Sequence, residues 1–275
     1  MKICTHCQTE FEDANVRFCG RDGQPLVEVP DTASNPQAPT ATAETPMSGS
    51  LAMALFPAYF IEPVAPDSGL TPPCQPDIRV SNVQLYYELP MISLWYLREH
   101  NFIRFVQTTS PHRHAPLGVE ATHANHPSVP GLEFDYWEIV KMCAPGTPVQ
   151  AVVRQLFGKE RFHPEDTLNQ RIKEWLIQLG YGQADAKPKP FFQFGDDGDR
   201  RIFEFVPDCQ RIMTQQQTAQ MIQHRWRKFI AEEPAIYQYL FQDVIRAGDD
   251  ACSGKHRWSI YCSRAREDLE ARSRR

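Results

Sequence analysis

The segment "HPEDTLNQRIKEWLIQLG", from His163 to Gly180, carries the pattern that decides the fold of this chain. Its large apolar residues recur at helical spacing and predict one buried helix face; they are Leu168, Ile172, Trp175, Leu176 and Leu179. Gly180 is a typical helix stop, because glycine adopts the left-handed conformation without a steric cost. The pattern therefore predicts an amphipathic helix from Glu165 to Leu179.

Two runs of alternating aromatic residues follow in "FFQFGDDGDRRIFEFV", from Phe191 to Val206. Asp196, Asp197, Gly198 and Asp199 separate the two runs, and an Asp-Gly pair between alternating apolar residues favours a hairpin turn. The segment predicts a β-hairpin with an acidic tip.

Two further helices are predicted just before this region. "LEFDYWEIVKMCAPG", from Leu132 to Gly146, reads as one helix. In "TPVQAVVRQLFG", Thr147 is the predicted N-cap and Pro148 the first helical residue of the next helix. Three helices followed by a hairpin resemble a winged helix.

An earlier stretch, "LYYELPMISLWYLREHNFIRFVQ", repeats the last part of this plan. Pro90 is predicted to open a helix that Asn101 ends, "FIRFVQ" forms a strand, and "GVEATH" is the return strand. We therefore expect an α+β, mainly helical body of tandem winged-helix-like units. The predicted divisions are a first, incomplete unit at 51–131, a second unit with C-terminal helices at 132–248, and a polar, basic tail at 249–275. The two C-terminal helices are expected at Thr214–Glu233 and Pro234–Gly248.

The N-terminal stretch "CTHCQTEFEDANVRFCGRDG" has metal-ligand spacing. A C-x2-C turn at Cys4 and Cys7 lets two thiolates bind one ion, and Cys19 begins a second turn of the same length that ends at Asp22. Gly23 suits the tight backbone after the last ligand position. The first 27 residues hold too few apolar side chains to fold alone, so metal binding would supply the folding energy.

The stretch resembles the short zinc ribbons found at bacterial protein N-termini, with the pattern C-x2-C…F-C-x2-D-G. The resemblance covers residues 1–27 and implies one Zn²⁺ ion bound by Cys4, Cys7, Cys19 and Asp22. Two alternatives stay open: His6 is the fourth ligand, or the ribbon has lost its metal. A carboxylate ligand should make zinc binding weaker and more sensitive to acid.

Residues 28–50 are rich in Pro, Ala, Thr and Ser, and they predict a disordered linker that tethers the ribbon. After it, Leu51 to Ile61 is apolar enough to dock on the body as a strand or short helix. A second proline-rich stretch, Glu62 to Asp77, is expected to be an extended surface segment. Whether the ribbon docks on the body is left open by the sequence.

The composition of the chain limits which cellular compartment and which kinds of partner we expect for the protein. The chain has 275 residues and a net charge of −5, so no overall positive charge attracts nucleic acid or acidic membranes. The longest apolar run is about half of what a bilayer needs. With no signal peptide and with cysteines that are scattered outside the ribbon, we expect a cytoplasmic protein without a disulfide framework and without a membrane partner.

The sequence contains candidate residues for two further kinds of site. A second metal site would use four imidazoles that lie close in sequence, His112, His114, His123 and His126, and would support the remote alternative of a metal-dependent enzyme. DNA binding by a winged-helix regulator would use Arg171, Lys173, Arg200 and Arg201, although the acidic hairpin tip would repel phosphates. No P-loop, dinucleotide fingerprint or nucleophile elbow occurs in the sequence.

The sequence thus favours a non-enzymatic, zinc-binding adaptor that recognises a protein partner. A DNA-binding regulator is the alternative. This interpretation predicts an exposed apolar patch on the body rather than a deep polar pocket.

Overall fold

A computed structural model describes residues 2–4, 10–11, 26–28, 47–65, 69–107, 117–122, 130–157, 164–186 and 203–251. The chain divides into two compact units, Met1–Glu44 and Thr45–Arg275. The first contains a three-stranded antiparallel sheet of β1 (Lys2–Cys4), β2 (Glu10–Phe11) and β3 (Leu26–Glu28), with β1 in the centre.

The second unit, called the body below, is mainly helical, as the sequence predicted. The helices in its described part are α1 (Gly49–Leu55), α2 (Pro57–Phe60), α3 (Asn82–Glu99), α4 (Leu132–Met142), α5 (Val149–Phe157), α6 (Pro164–Gln178), α7 (Cys209–Thr214), α8 (Gln216–Glu232) and α9 (Pro234–Ala251). The described strands of the body are β4 (Ile103–Gln107), β5 (Leu117–Ala121), β6 (Thr147–Pro148), β7 (Gly182–Ala186) and β8 (Phe203–Pro207).

Helix α1 begins inside the predicted linker, so the predicted boundary at residue 50 is wrong. Ser48 is its N-cap and accepts a hydrogen bond from Leu51 N. Met47, Ser48, Gly49 and Ser50 are all buried. Ser48, Gly49 and Ser50 are small enough to be buried where the start of α1 packs against α3 and α4.

Pro90 lies inside α3, although the sequence predicted that it opens the helix. The helix begins earlier, where Ser81 Oγ accepts a hydrogen bond from Gln84 N at 3.2 Å. Proline removes one backbone donor and crowds the preceding turn. Every residue from Tyr87 to Leu97 is buried, and this burial stabilises the helix despite the proline.

Strands β4 and β5 form the hairpin that the sequence predicted, and β6 joins it at the outer edge of β5. Thr147 and Pro148, predicted to begin a helix, instead form β6 opposite Val119 and Gly118. A proline is tolerated there because the strand lies at the edge of the sheet. Since β6 comes from the second predicted unit and β5 from the first, the division after residue 131 is not a boundary between compact units.

The second hairpin uses a different first strand from the predicted one. Strand β8 falls on the second aromatic run, but it pairs with β7, so that Gly182 lies opposite Pro207 and Ala186 opposite Phe203. A side chain at Gly182 would collide with the Phe205 ring, which explains the glycine at this position. The first aromatic run and the Asp-Gly turn lie outside the described residues.

Aromatic side chains from α3, α8 and α9 form the centre of the body. The ring centroids of Trp95 and Trp226 lie 5.3 Å apart, and Phe229 and Tyr237 contact Trp226 at 5.3 and 5.8 Å. Helix α9 packs on both α3 and α5, so the C-terminal helices are part of the same core. The tilted, stacked and edge-on contacts among these rings add to the stability that their burial gives the body.

Candidate binding groove

Most of the side chains that the sequence assigned to sites lie outside the described residues. These are Cys7, Cys19 and Asp22, the alternative ligand His6, the histidines His112, His114, His123 and His126, and the basic pair Arg200 and Arg201. Cys4 is the last residue of β1, where it lies opposite Leu26. Arg171 and Lys173 lie on α6.

A groove of about 650 Å³ lies on the body between α6, strand β8, helices α1 to α3 and the segment 69–80, which we call the proline-rich loop. Its described lining residues are Ala54, Pro57, Leu70, Thr71, Pro72, Pro73, Cys74, Pro76, Val80, Leu85, Tyr86, Leu89, Asn169, Ile172, Lys173, Leu176, Phe205 and Pro207. Its volume is within the range of sites that bind ligands, about 300–1,000 Å³.

The groove is lined mainly by groups that cannot form hydrogen bonds. The proline-rich loop contributes Pro72, Pro73 and Pro76, which lack a backbone N–H. Helix α6 contributes the buried side chains of Ile172 and Leu176. Leu70, at the start of the proline-rich loop, is 37% exposed. Such a surface favours apolar side chains and offers little to a polar substrate.

The proline-rich loop is closed at its base by paired backbone hydrogen bonds. Leu70 N donates to Val80 O at 2.9 Å, and Val80 N donates to Leu70 O at 3.0 Å. Val64 N also donates to Arg79 O at 2.9 Å, while nearer the tip the described backbone hydrogen bonds are local, from Gln75 N to Pro72 O and from Ile78 N to Gln75 O. Backbone hydrogen bonds therefore fix the base of the loop and leave its tip to other interactions.

A disulfide bond fixes the tip of this loop. It joins Cys74 to Cys209, the first residue of α7, with a Cα–Cα distance of 5.3 Å. Cys74 has a φ of 61°, a left-handed conformation that is unfavourable for a residue other than glycine. The sequence predicted no disulfide framework, and this single bond joins two of the scattered cysteines. It connects the proline-rich loop to α7, which β8 directly precedes.

Helix α6 presents its polar side chains in two directions. Asn169 and Lys173, one helical turn apart, line the groove. Arg171 lies between them in sequence but does not line it, and its Nη1 lies 3.6 Å from Glu174 Oε2. Arg171 and Lys173, the described members of the basic strip predicted for DNA binding, therefore do not form one continuous surface. Lys173 lines the groove, whereas Arg171 pairs with a carboxylate.

A buried polar cluster lies in the core where α1 and α4 begin. Glu133 Oε1 accepts a hydrogen bond from Ser50 N at 2.7 Å, and Glu133 Oε2 accepts one from Ser50 Oγ at 2.5 Å. Leu132 N donates to Ser50 Oγ at 3.1 Å. Burial raises the pKa of Glu133, and the hydrogen bonds from Ser50 oppose that shift. These hydrogen bonds join the N-termini of two helices. Because Ser48, Ser50 and Glu133 are fully buried, the cluster is not accessible to a substrate.

Asp243 on α9 is a second buried carboxyl group. Burial raises its pKa to about 7, and Arg246 opposes the shift. Its nearest cation is Arg246, with Nη1 4.0 Å from Asp243 Oδ1, and neither carboxylate oxygen has a hydrogen-bond partner. We expect this group to make the stability of the body depend on pH.

Other signs of chemistry are few in the part of the chain that the structure describes. No three His, Cys, Asp or Glu side chains converge there on a point where a metal ion could bind. Cys143 is the free cysteine among these residues; it is half-buried, and its thiol lies 3.9 Å from Gln155 Oε1. None of the helices among the described residues has the length and hydropathy to span a membrane.

Comparisons with protein-family models, curated proteins and solved structures gave no match to this chain. Sequence reasoning placed the proline-rich stretch at the surface but missed the groove, because its walls come from segments far apart in the chain. The pairing of Cys74 with Cys209 likewise spans a separation of 135 residues and leaves no local signal.

Proposed function

We propose that this protein is a non-enzymatic adaptor that binds a segment of a partner polypeptide in the groove. The observation that carries the proposal is the apolar lining, to which the proline-rich loop and Ile172 and Leu176 of α6 all contribute. Peptide-binding domains commonly recognise partners through apolar anchor side chains that fill such a groove.

The shortage of donors and acceptors in the groove supports a protein partner over a small polar substrate. Strand addition would need a free row of backbone N–H and C=O groups, and the prolines of the loop supply no donors. The partner would instead insert side chains, so most of the binding free energy would come from apolar burial.

We propose further that the body contains a winged-helix unit. The order α4–β6–α5–α6–β7–β8 is that of a helix, a short strand, two helices and a hairpin, which supports this reading. Strand β6 pairs with β5 and not with β8, so the first strand of the unit extends the preceding hairpin. In this unit α6 takes the place of the recognition helix, and its residues Asn169 and Lys173 would contact a peptide and not DNA.

The N-terminal ribbon would be a second recognition module, held by one Zn²⁺ ion on Cys4, Cys7, Cys19 and Asp22. The described backbone supports this, since Cys4 ends a strand of a small antiparallel sheet. Three thiolates and a carboxylate are a donor set that suits zinc. The metal would supply folding energy to a segment with little apolar mass.

The groove proposal can be tested by selecting binders from a displayed library of random peptides on the full-length protein. We expect enriched apolar peptides whose binding weakens more than about tenfold in Asn169→Trp, because the indole would occupy the groove. Gln178→Trp is the matched control, since Gln178 is also exposed on α6 but does not line the groove. Failure to enrich any peptide, or equal binding to both variants, would overturn the proposal.

A DNA-binding regulator is the second candidate, and the winged-helix order of the elements is the observation that favours it. Exposed cations on α8, Arg225, Arg227 and Lys228, could contact phosphates. Fluorescence anisotropy with a random-sequence DNA duplex at low salt decides between the two, because phosphate contacts strengthen as salt falls. We expect no binding; a salt-dependent affinity that is lost in Arg225→Ala would favour the regulator.

A further inference from the structure

We infer that the segment bound in the groove carries an aspartate or glutamate beside its apolar anchors, and that this carboxylate pairs with Lys173. The inference rests on the proposed function and names the chemistry of the partner for the same groove. Among the described lining residues, Lys173 alone carries a charge. A single cation in an apolar groove selects a ligand with one complementary anion.

Lys173 and Asn169 are available to a ligand. Both line the groove from α6, and no hydrogen bond or ion pair joins either side chain to another described residue. Lys173 is half-buried, and its ammonium has no partner among the described residues. A ligand carboxylate would give this ammonium an ion-pair partner within the groove.

The neighbouring acidic residue of α6 does not balance this charge. Glu174 Oε1 accepts a hydrogen bond from Gln170 Nε2 at 2.9 Å, and its Oε2 faces Arg171 Nη1 at 3.6 Å. None of these three residues lines the groove. The positive charge of Lys173 is therefore directed at whatever occupies the groove.

The surroundings would strengthen such a pair. Apolar walls and an apolar ligand exclude water, so the attraction between the two charges is less screened than at an open surface. The amide of Asn169, one turn away, could donate to the second carboxylate oxygen. A phosphorylated ligand is less suited, since recognition of that dianion normally uses several arginines.

The experiment compares peptide pools selected on the full-length wild type with pools selected on Lys173→Met and Lys173→Glu. We expect Asp and Glu to be enriched on the wild type, no acidic preference on Lys173→Met, and Lys or Arg to be enriched on Lys173→Glu. Lys228→Met is the control, because Lys228 is 63% exposed and pairs with Glu232 on α8. It should select the same acidic peptides as the wild type.

A double-mutant cycle makes the test quantitative. In one selected peptide, changing its acidic residue to the amide should weaken binding to the wild type about five- to tenfold, and should change binding to Lys173→Met less than about twofold. Binding of the acidic peptide to the wild type should also weaken as salt increases. An equal loss in both proteins would overturn the inference.

The possible failures are distinguishable. Apolar peptides that are enriched without an acidic preference would overturn this inference and leave the groove proposal standing. If no peptide is enriched, but laurate binds the wild type and not Lys173→Met, the groove takes an anionic amphiphile, and both proposals are overturned.

Discussion

Cys74, which lines the groove, is bonded to Cys209, so the tip of the proline-rich loop is attached to the start of α7. The loop has its own closed base at Leu70 and Val80, and the disulfide supplies the long-range connection at its tip. The shape of the groove therefore depends on a bond that a reductant can break.

Replacing both cysteines by serine should lower the free energy of unfolding by about 2–4 kcal/mol, because the unfolded chain regains the freedom that a long closed loop removes. Urea denaturation under oxidising conditions measures this change. Hydrogen exchange should accelerate at the loop tip around Cys74 before it changes elsewhere in the body. Cys143→Ser, at the free cysteine, is the control and should be neutral; unchanged stability of the double variant would count against the bond.

Gly131→Ala should destabilise the body by about 2–4 kcal/mol. Gly131 has a φ of 101°, and a Cβ there would lie 2.7 Å from both Ser48 Oγ and Ser50 Oγ. The substitution would add backbone strain of about 1 kcal/mol and disrupt a buried hydrogen-bond cluster worth about 1–3 kcal/mol.

Gly146→Ala separates these two effects. Gly146 also has a positive φ, 77°, but the nearest atom to its added Cβ is Val106 Cγ2 at 4.0 Å. Only the backbone strain, about 1 kcal/mol, should appear in thermal or urea unfolding. Equal losses for the two glycines would show that the cluster around Glu133 contributes nothing.

Asp243 should make the wild type less stable as pH rises. Its pKa is about 7 in the folded protein, above the ordinary aspartate value near 3.8, so the folded state binds the proton more tightly than the unfolded state. This contribution is complete below about pH 4 and is lost as pH rises through 7. Its total size is on the order of 4 kcal/mol.

Asp243→Asn removes that titration, so the variant should gain stability relative to the wild type between pH 5 and pH 8. Urea unfolding at several pH values measures the difference between the two curves. Asp249→Asn is the matched control, because Asp249 is exposed near the end of the same helix. Parallel pH curves for the wild type and Asp243→Asn would contradict the assignment.

The sequence predicted those elements whose signal is local. Helices α6, α8 and α9 follow apolar periodicity, and β4 and β5 follow alternation, so each was placed nearly at its observed bounds. Strand β7, with the sequence Gly-Gln-Ala-Asp-Ala, has no strand propensity and exists through its pairing with β8. Local patterns also could not reveal the groove, since its walls meet only after α3, α6 and the proline-rich loop have packed together.

The zinc content of ribbon variants should distinguish Asp22 from His6 as the fourth ligand. The purified full-length chain should contain one zinc ion per molecule, and Cys19→Ser should lose it because a thiolate ligand is removed. Asp22→Ala should weaken zinc binding and His6→Ala should not, if the carboxylate completes the site. The reverse result would assign the ligand to His6, and a wild type without metal would refute the zinc assignment. Because a carboxylate binds zinc more weakly than a thiolate, zinc loss on acidification should begin at a higher pH than in Asp22→Cys, which supplies four thiolates.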